Sequence, residues 1–426
     1  MSEVIIKPNE LCGEIVIPSS KSLTHRSIIC GCLAGKRCKI TPISFSQDIL
    51  ATIQAMKNIG SEFFLEGENL FVEGFSLNDQ KDIVIDCCES ASTLRFLIPI
   101  VSALGISASF KMSESLAKRP LLSYLRILSK NGLKFQYQGK YVVKISGRLT
   151  PGTFCIPGGT SSQFISGLLL ALPLLEDDSL IEITSKLKSA NYVSMTTQVM
   201  RHFGVRAQRT QTGFFIAGNQ KYKPADYTIE GDWSQAAFFL AAGLLRGRVS
   251  IKGLNTRSIQ GDSSIYSLIS DFGGKIYTRR GAVVTRKSDL HGITIDASQI
   301  PDLVPILTVL AANAEGMTVI NNIRRLRFKE SSRAEVISEE LGKLGVEIYR
   351  TKHQLKIIGN QKLHSEVLWG HNDHRIVMAL SIMANVVPEG LKIKGAESIN
   401  KSYPNFFKDY ALLGGNVNVV HMGSKY

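Results

Sequence analysis

Apolar positions along this chain switch between a helical period and a strand period at regular intervals. Ahead of Gly60, residues Ile49, Leu50, Ile53, Met56 and Ile59 recur at helical spacing. Directly after it, FFLEGENLFVEG reads as two strands around a Glu-Gly-Glu-Asn turn. IVIDC, from Ile83 to Cys87, then reads as a buried strand, and Thr93 to Leu104 as a second helix. The unit predicted is βαβαββ. It recurs through MKNIGSEF, LSKNGLKF, MRHFGVRA, ISDFGGKI, LGKLGVEI and ALLGGNV, in each of which a helix ends at a glycine before a strand. These glycines, Gly60, Gly132, Gly204, Gly273, Gly345 and Gly414, are spaced 72, 72, 69, 72 and 69 residues apart. A glycine just past the last helical turn adopts the left-handed conformation without a Cβ clash. Repeats of this length exceed solenoid units, which run about 20–45 residues. Six of them divide most simply as three plus three, giving two similar domains. KPADYTIEGDWSQAAFF, Lys223 to Phe239, is then the crossover, and a ligand cleft is expected between the domains.

Composition narrows the class. With 44% hydrophobic and 20% charged residues, the 426-residue chain is globular rather than disordered. Its net charge of +14 favours anionic partners, whether nucleic acids, lipids or small phosphorylated metabolites. The N-terminal MSEVIIKPNELCGEIVIP reads as two short strands, not a signal peptide. The longest apolar stretch, Phe164 to Leu175, contains Ser166, Gly167 and Pro173 and is too short to span a bilayer. Seven cysteines include no pair of CxxC motifs, so Cys30, Cys32 and Cys38 read as buried thiols near a helix rather than a soft-metal site. A reducing cytoplasm is the expected location, with no membrane contact.

Polar clusters carry the candidate chemistry. In IPSSKSLTHR, Pro18 ends a strand and Ser19 or Ser20 can cap the next helix, placing Lys21, Ser22 and Arg26 in its first turns. Free backbone amides and the helix dipole favour an anion there, though the glycines of a Walker A loop are missing. CCESASTLRF again places small hydroxyl residues at a helix start, AKRP sets Arg119 before Pro120, and PGGTSSQFISG puts Ser161, Ser162 and Gln163 at another helix start. KSANY adds Ser189 and Tyr192. Each of these is individually compatible with ordinary capping. Denser groups follow in the C-terminal half: Asp302 in QIPDLVP, then Arg324, Arg325, Arg327, Lys329, Glu330 and Arg333 in RRLRFKESSR, His374 and Arg375 in HNDHRIVMA, and Lys401 in NKSYPNFF. A solvated charged face is the plain alternative for the Arg run; against it, Glu330 inside the cationic group would be held ionised. His371 and His374 fit zinc poorly, because no third ligand has metal spacing and Arg375 would repel a cation.

Taken in order, KSLTHR, ESASTLR, KRP, SSQF, SANY, EGDWSQAAFF, IPD, RFKESSR, NDHR and NKSYP resemble the enolpyruvyl transferases, and among them the 5-enolpyruvylshikimate-3-phosphate (EPSP) synthase family, over nearly the whole chain. The resemblance implies an α/β fold of two domains, each of three βαβαββ units, known as an inside-out α/β barrel. It implies residues 1–20 and 230–426 in one domain and 21–229 in the other, with substrates in the cleft between them. The implied reaction moves the enolpyruvyl group of phosphoenolpyruvate to the 5-hydroxyl of shikimate 3-phosphate and releases phosphate, on the route to chorismate and the aromatic amino acids. A monomer, no metal and no organic cofactor are expected.

Carried over by motif, Lys21 contacts both substrates. Ser22, Arg26, Ser161, Ser162, Ser189, Asp302 and Lys329 hold shikimate 3-phosphate, with Tyr192 lining that side and Gln163 between the ligands. Arg119, Arg333, Arg375 and Lys401 clamp phosphoenolpyruvate beside the turn at Ala91. Two multiply charged anions call for many cations, with Arg supplying bidentate geometry. Opposed proton transfers call for groups in separate environments: Asp302 is the expected base, and Glu330, with Lys21 as rival, the expected acid. Three positions depart from the family pattern. Ala91 replaces a usual Gly, which predicts tolerance of the inhibitor glyphosate; Glu89 replaces a usual Asn; and Arg325 stands near a position often occupied by Asn. The related UDP-N-acetylglucosamine enolpyruvyl transferases usually read Lys-Asn at Lys21-Ser22 and carry a reactive Cys where this chain has ESLAKRP. A nucleic-acid-binding reading of the +14 charge lacks a recognised motif, with only 8% aromatics. A catalytically dead scaffold would have lost Asp302 and Glu330.

Overall fold

The computed structural model describes residues 2–74 and 82–421. Each repeat builds one four-stranded sheet. In one, Ile83–Asp86 runs parallel to Ala108–Lys111, which pairs antiparallel with Val142–Ser146, and Lys134–Tyr137 completes the edge as an antiparallel partner of Val142–Ser146. The other five described sheets repeat this order and these senses. All six repeat glycines have positive φ, from 79° at Gly204 to 115° at Gly60. The helix stop inferred from the sequence is therefore made in every repeat.

The helices divide into two kinds. Lys21–Leu33, Ala91–Ala103, Ser162–Ala171, Trp233–Arg246, Val304–Ala312 and His374–Met383, one per repeat, are buried on nearly every side. Five of them are largely apolar all round, so they are stable only inside, while Lys21–Leu33 buries Thr24, His25, Arg26 and Ser27 with hydrogen-bond partners for each. The second helix of each repeat has one apolar stripe. Gln47–Ile59 buries Ile49, Ile53, Met56 and Ile59, while Leu50 faces solvent because one residue of rotation carries it off the stripe. The sheets lie outside these helices. Ile83–Asp86 alternates buried and exposed residues, so the strand expected to be buried is covered on one face only, with Val84 exposed. Helices innermost and sheets outermost is the inside-out α/β arrangement, three βαβαββ units at a time.

The chain forms two compact units, Met1–Pro18 with Glu230–Tyr426, and Ser19–Ile229. Strand pairing explains the discontinuity. Ser2–Lys7 fills the place between Leu391–Lys394 and Asn416–His421, and Leu11–Val16 pairs parallel with Gly247–Lys252. Conversely, Tyr227–Thr228 returns to pair with Cys38–Thr41. Ser19 and Ser20, expected with the C-terminal half, belong to the other unit, where the Ser19 N–H donates to Ser44 Oγ at 3.2 Å. Cys30, Cys32 and Cys38 are buried free thiols, and burial pushes the Cys32 thiol up to about 12.

Glycines at positive φ differ in what surrounds them. A Cβ on Gly132 would meet the Arg148 carbonyl oxygen at 2.2 Å, whereas one on Gly67, also at positive φ, meets nothing within 4 Å. Gly132→Ala should therefore lower stability by about 2–3 kcal/mol and Gly67→Ala by about 1 kcal/mol. Urea unfolding midpoints check this; equal losses would mean that backbone strain alone decides the cost.

Candidate active site

In the Ser19–Ile229 unit, solvent reaches the buried helices chiefly at their first turns: at Lys21 and Ser22, at Ser92 and at Gln163. Hydrogen bonds tie those turns together. Lys21 Nζ pairs with Asp48 Oδ2 at 2.8 Å, joining the starts of Lys21–Leu33 and Gln47–Ile59. Gln163 Nε2 donates to Ser92 Oγ at 2.9 Å, and Gln163 Oε1 accepts from Arg95 at 2.7 Å. Arg95 also donates to the Pro120 carbonyl at 2.9 Å, which links the Arg119 segment to Gln163. A buried chain of side chains, His25 to Thr52 at 2.7 Å, Thr52 to Thr93 at 2.6 Å and Thr93 to Ser90 at 2.7 Å, runs beneath. Burial, then the charges of Lys21 and Arg26, hold His25 well below its ordinary pKa, so it is neutral. The amino-terminal ends of several helices thus converge, and their free N–H groups and aligned dipoles favour negative charge.

The predicted residues of this unit fall into that region in different ways. Ser161 caps Ser162–Ala171 by accepting from Gln163 N at 3.3 Å. Ser189, at φ 53°, stands immediately before Ala190–His202. Ala91 is the buried first residue of its helix, behind the cap Ser90. Ser20 holds the cap position before Lys21, but neither it nor Ser19 supplies a side-chain cap. Arg26 is 2% exposed and turned inward. It donates to Thr196 Oγ1 at 2.7 Å, to the Ser22 carbonyl at 2.6 Å and to the Tyr192 carbonyl at 3.0 Å, and lies 4.9 Å over the Phe96 ring. Burial lowers its pKa to about 10, so it stays charged at neutral pH. Arg119 follows the short helix Glu114–Ala117 and lines a concavity of about 310 Å³ with Met112, Leu122 and Tyr137.

The unit containing the C-terminal half gathers its charges around Arg333, which is 1% exposed. Its guanidinium donates to Asp302 Oδ1 at 2.6 Å, to Glu330 Oε2 at 2.6 Å and to Asp373 Oδ2 at 2.8 Å. Burial would lower its pKa, but Asp373, Glu330 and Asp302 outweigh that and raise it. Asp302 also accepts from Lys329 Nζ at 2.9 Å, while Arg375 Nε lies 3.7 Å away. Burial alone would raise the Asp302 carboxyl; Lys329, Arg375 and Arg333 together hold it well below the usual range. Arg375 donates to the Asp302 carbonyl at 3.2 Å, and Asp373 caps His374–Met383 through Arg375 N at 2.9 Å. Lys401 Nζ donates to the Asn372 carbonyl at 2.5 Å. Asp302, Glu330, Lys329, Arg333 and Arg375 are thus brought into one network, with Lys401 beside it at the end of the 3-10 helix Ala396–Lys401. The Arg run splits: Arg324 and Arg327 are solvated, as a charged face would be, while Lys329, Glu330 and Arg333 turn in. Glu89 and Arg325 are half-buried.

Five residues escaped the sequence reading. Asp48 and Asp373 are ordinary acids near helix starts, and only packing shows that they neutralise Lys21 and Arg333. Arg95 had a signal, a lone charge in the apolar helix TLRFLIPIV. Asp262, which accepts a hydrogen bond from Ser234, lies in QGDSS with no periodicity to mark it. Glu340, the second of two adjacent glutamates in SEELG, is likewise unmarked. Among the described residues, no group of three or more His, Cys, Asp or Glu is placed to hold a metal ion, and no helix is long and apolar enough to cross a membrane.

Solved structures share this architecture. EPSP synthase from Acinetobacter baumannii superposes with a TM-score of 0.83 at 23% identity, covering 99% of this chain and 100% of that one. The enolpyruvyl transferase NikO from Streptomyces tendae superposes with a TM-score of 0.81 at 18% identity, covering 98% of each. The fold is therefore that of the enolpyruvyl transferases. The family profile described as EPSP synthase (3-phosphoshikimate 1-carboxyvinyltransferase) matches residues 5–410, and the chain belongs to that family. Among relatives named 3-phosphoshikimate 1-carboxyvinyltransferase, that of Clostridium acetobutylicum is 44% identical over 99% of this chain and 100% of its own length. That of Clostridioides difficile is 41% identical over the same shares.

The buried acids give opposite pH signatures. Burial, then the neighbouring Asp302, push the Asp262 carboxyl up to about 6. Between the ordinary Asp value of 3.8 and about 6 the folded state binds more protons than the unfolded chain, so this group's contribution to stability falls as pH rises through that window. Asp302, with its pKa depressed, contributes stability above its unfolded pKa and loses it as pH falls through its lower folded value. Asp262→Asn, which keeps an acceptor for Ser234, should gain on the wild type by on the order of 1–3 kcal/mol between pH 4 and pH 7. Melting temperatures against pH check this; parallel curves would show that Asp262 is ionised throughout.

Proposed function

We propose that this chain transfers the enolpyruvyl group of phosphoenolpyruvate to the 5-hydroxyl of shikimate 3-phosphate and releases phosphate, in the biosynthesis of chorismate and the aromatic amino acids. Full-length family membership carries this reading, and the charge arrangement supports it. The proposal keeps a monomeric, cytoplasmic enzyme that needs no metal or organic cofactor.

Three cations of the site, Lys21, Lys329 and Arg333, are already paired with protein carboxylates. Lys21 is paired with Asp48, and Arg333 with Asp302, Glu330 and Asp373. An incoming phosphate or carboxylate exchanges one anionic partner for another, so the cations never stand unpaired in a low-dielectric interior. In the proposal, Arg119, Arg333, Arg375 and Lys401 engage phosphoenolpyruvate beside Ala91. Lys21, Ser22, Ser161, Ser162, Gln163, Ser189, Tyr192 and Lys329 engage shikimate 3-phosphate, while Arg26 acts from beneath by fixing Ser22 and Tyr192. Both units contribute to one reaction.

The same exchange sets the proton chemistry. Asp302 is a weak base while three cations hold it. Drawing Arg333 and Arg375 towards phosphoenolpyruvate raises its proton affinity where the 5-hydroxyl must be deprotonated. Glu330 or Lys21 delivers a proton to the methylene carbon as the hydroxyl oxygen bonds to the adjacent carbon. The tetrahedral adduct then loses phosphate and a methyl proton, restoring the double bond. Exclusion of water protects the cation-like centre during these steps.

Purified protein should release phosphate only when both substrates are present; no release with both would overturn the reading. Asp302→Asn should lower kcat by about 10²–10⁴-fold with smaller changes in KM, since it removes proton transfer more than binding. Arg119→Ala and Arg375→Ala, one in each unit, should each raise KM for phosphoenolpyruvate or lower kcat/KM by about 10²-fold or more. Normal activity in either would exclude that unit's cation from the site. Ala91→Gly removes one methyl and should tighten glyphosate inhibition by about tenfold or more. Unchanged inhibition constants would show that the methyl does not reach the inhibitor.

A further inference from the structure

The loop between Val367–Trp369 and His374–Met383 presents the groups that order the C-terminal cluster, and its backbone is strained. His371 and Asn372 are consecutive non-glycine residues at φ 49° and 53°, in the left-handed region that L side chains disfavour. Gly370 before them packs so closely that a Cβ would meet Val377 Cγ2 at 2.3 Å. Such a turn persists only where its surroundings over-determine it.

Here one helix holds both ends of the turn. Arg333 opens Arg333–Gly342 and donates to Asp373, where the loop ends. Glu340 stands seven residues later, two turns on and therefore on the same face. Its carboxylate accepts from the Trp369 backbone N–H at 3.0 Å and bonds His371 Nε2 at 2.8 Å, where the loop begins. The Glu340 side chain is 1% exposed. Burial would raise its pKa, but Lys343, His371 and the Trp369 amide outweigh that and keep it ionised. Between the two holding points, Asn372 offers its carbonyl to Lys401, and Asp373 accepts from Arg375 N.

We propose that Glu340 is a positioning residue for the phosphoenolpyruvate clamp: by holding Trp369 and His371 it maintains the left-handed turn from which Asn372 and Asp373 place Lys401, Arg333 and Arg375. This rests on the function proposed above. A plain helix-to-strand staple would affect stability alone, whereas a positioning role acts on one substrate.

The test is steady-state kinetics of Glu340→Gln and His371→Ala, which cut the same contact from its buried and its exposed side, with melting temperatures measured alongside. Wild-type phosphate release is read first, because its absence overturns the function and not the role of Glu340. Given an active wild type, both variants should raise KM for phosphoenolpyruvate by about tenfold while KM for shikimate 3-phosphate stays within about twofold. Glu340→Asp, which retains the charge, should recover part of the loss. Trp369 is one of two tryptophans and stacks on His371 with ring centroids 4.6 Å apart. Its emission, isolated by subtracting the Trp369→Phe spectrum, should change in Glu340→Gln. Unchanged KM values in both variants, equal changes for the two substrates, or kinetic losses that only track melting temperature would each overturn the proposal.

Discussion

A guanidinium sealed from solvent stays charged only with anions against it, because the cost of desolvating an unpaired ion is several kcal/mol or more. Arg333 meets this constraint with three carboxylates drawn from three parts of the chain, Asp302, Glu330 and Asp373. Much of the C-terminal unit follows from it. Asp302 precedes Val304–Ala312, Asp373 caps His374–Met383, and Arg333 begins its own helix. Satisfying one buried cation therefore fixes the starts of three helices relative to one another. It also stores the site's positive charge in a form that a substrate anion can claim by exchange.

The N-terminal unit meets a similar demand with more hydroxyls. Arg26 and Arg95, both buried, are satisfied largely by carbonyl and hydroxyl oxygens and an amide oxygen rather than by carboxylates. Fewer acids leave this unit's convergent helix starts more positive. The inside-out order of layers makes the charged groups of both units available: helices buried on nearly every side meet solvent mainly at their ends. The amino-terminal ends are the ones suited to phosphates.

Much of the fold was legible because repetition amplifies a weak local signal. One helix–Gly–strand junction says little, but six at near-constant spacing define a repeat, and each glycine does adopt positive φ. The motif residues were legible in the same way, as hydroxyls and cations at helix starts. What escaped were partners whose importance is relational. Asp48, Asp262 and Glu340 carry no local mark, since an acid near a helix is common. Leu50 and Val84 show the converse limit: an apolar residue in a periodic segment can still face water when the stripe passes it by.

The sequence by itself determined the six βαβαββ units, the helix stops and the identity of the cations, since periodicity, turn chemistry and side-chain charge are local properties. Only the tertiary structure decided which carboxylate neutralises which cation, that Arg26 points inward, and that Glu340 reaches the His371 turn. Those outcomes depend on distances between segments far apart in the chain, and electrostatic and hydrogen-bond energies vary too steeply with distance and burial to be read from composition or spacing.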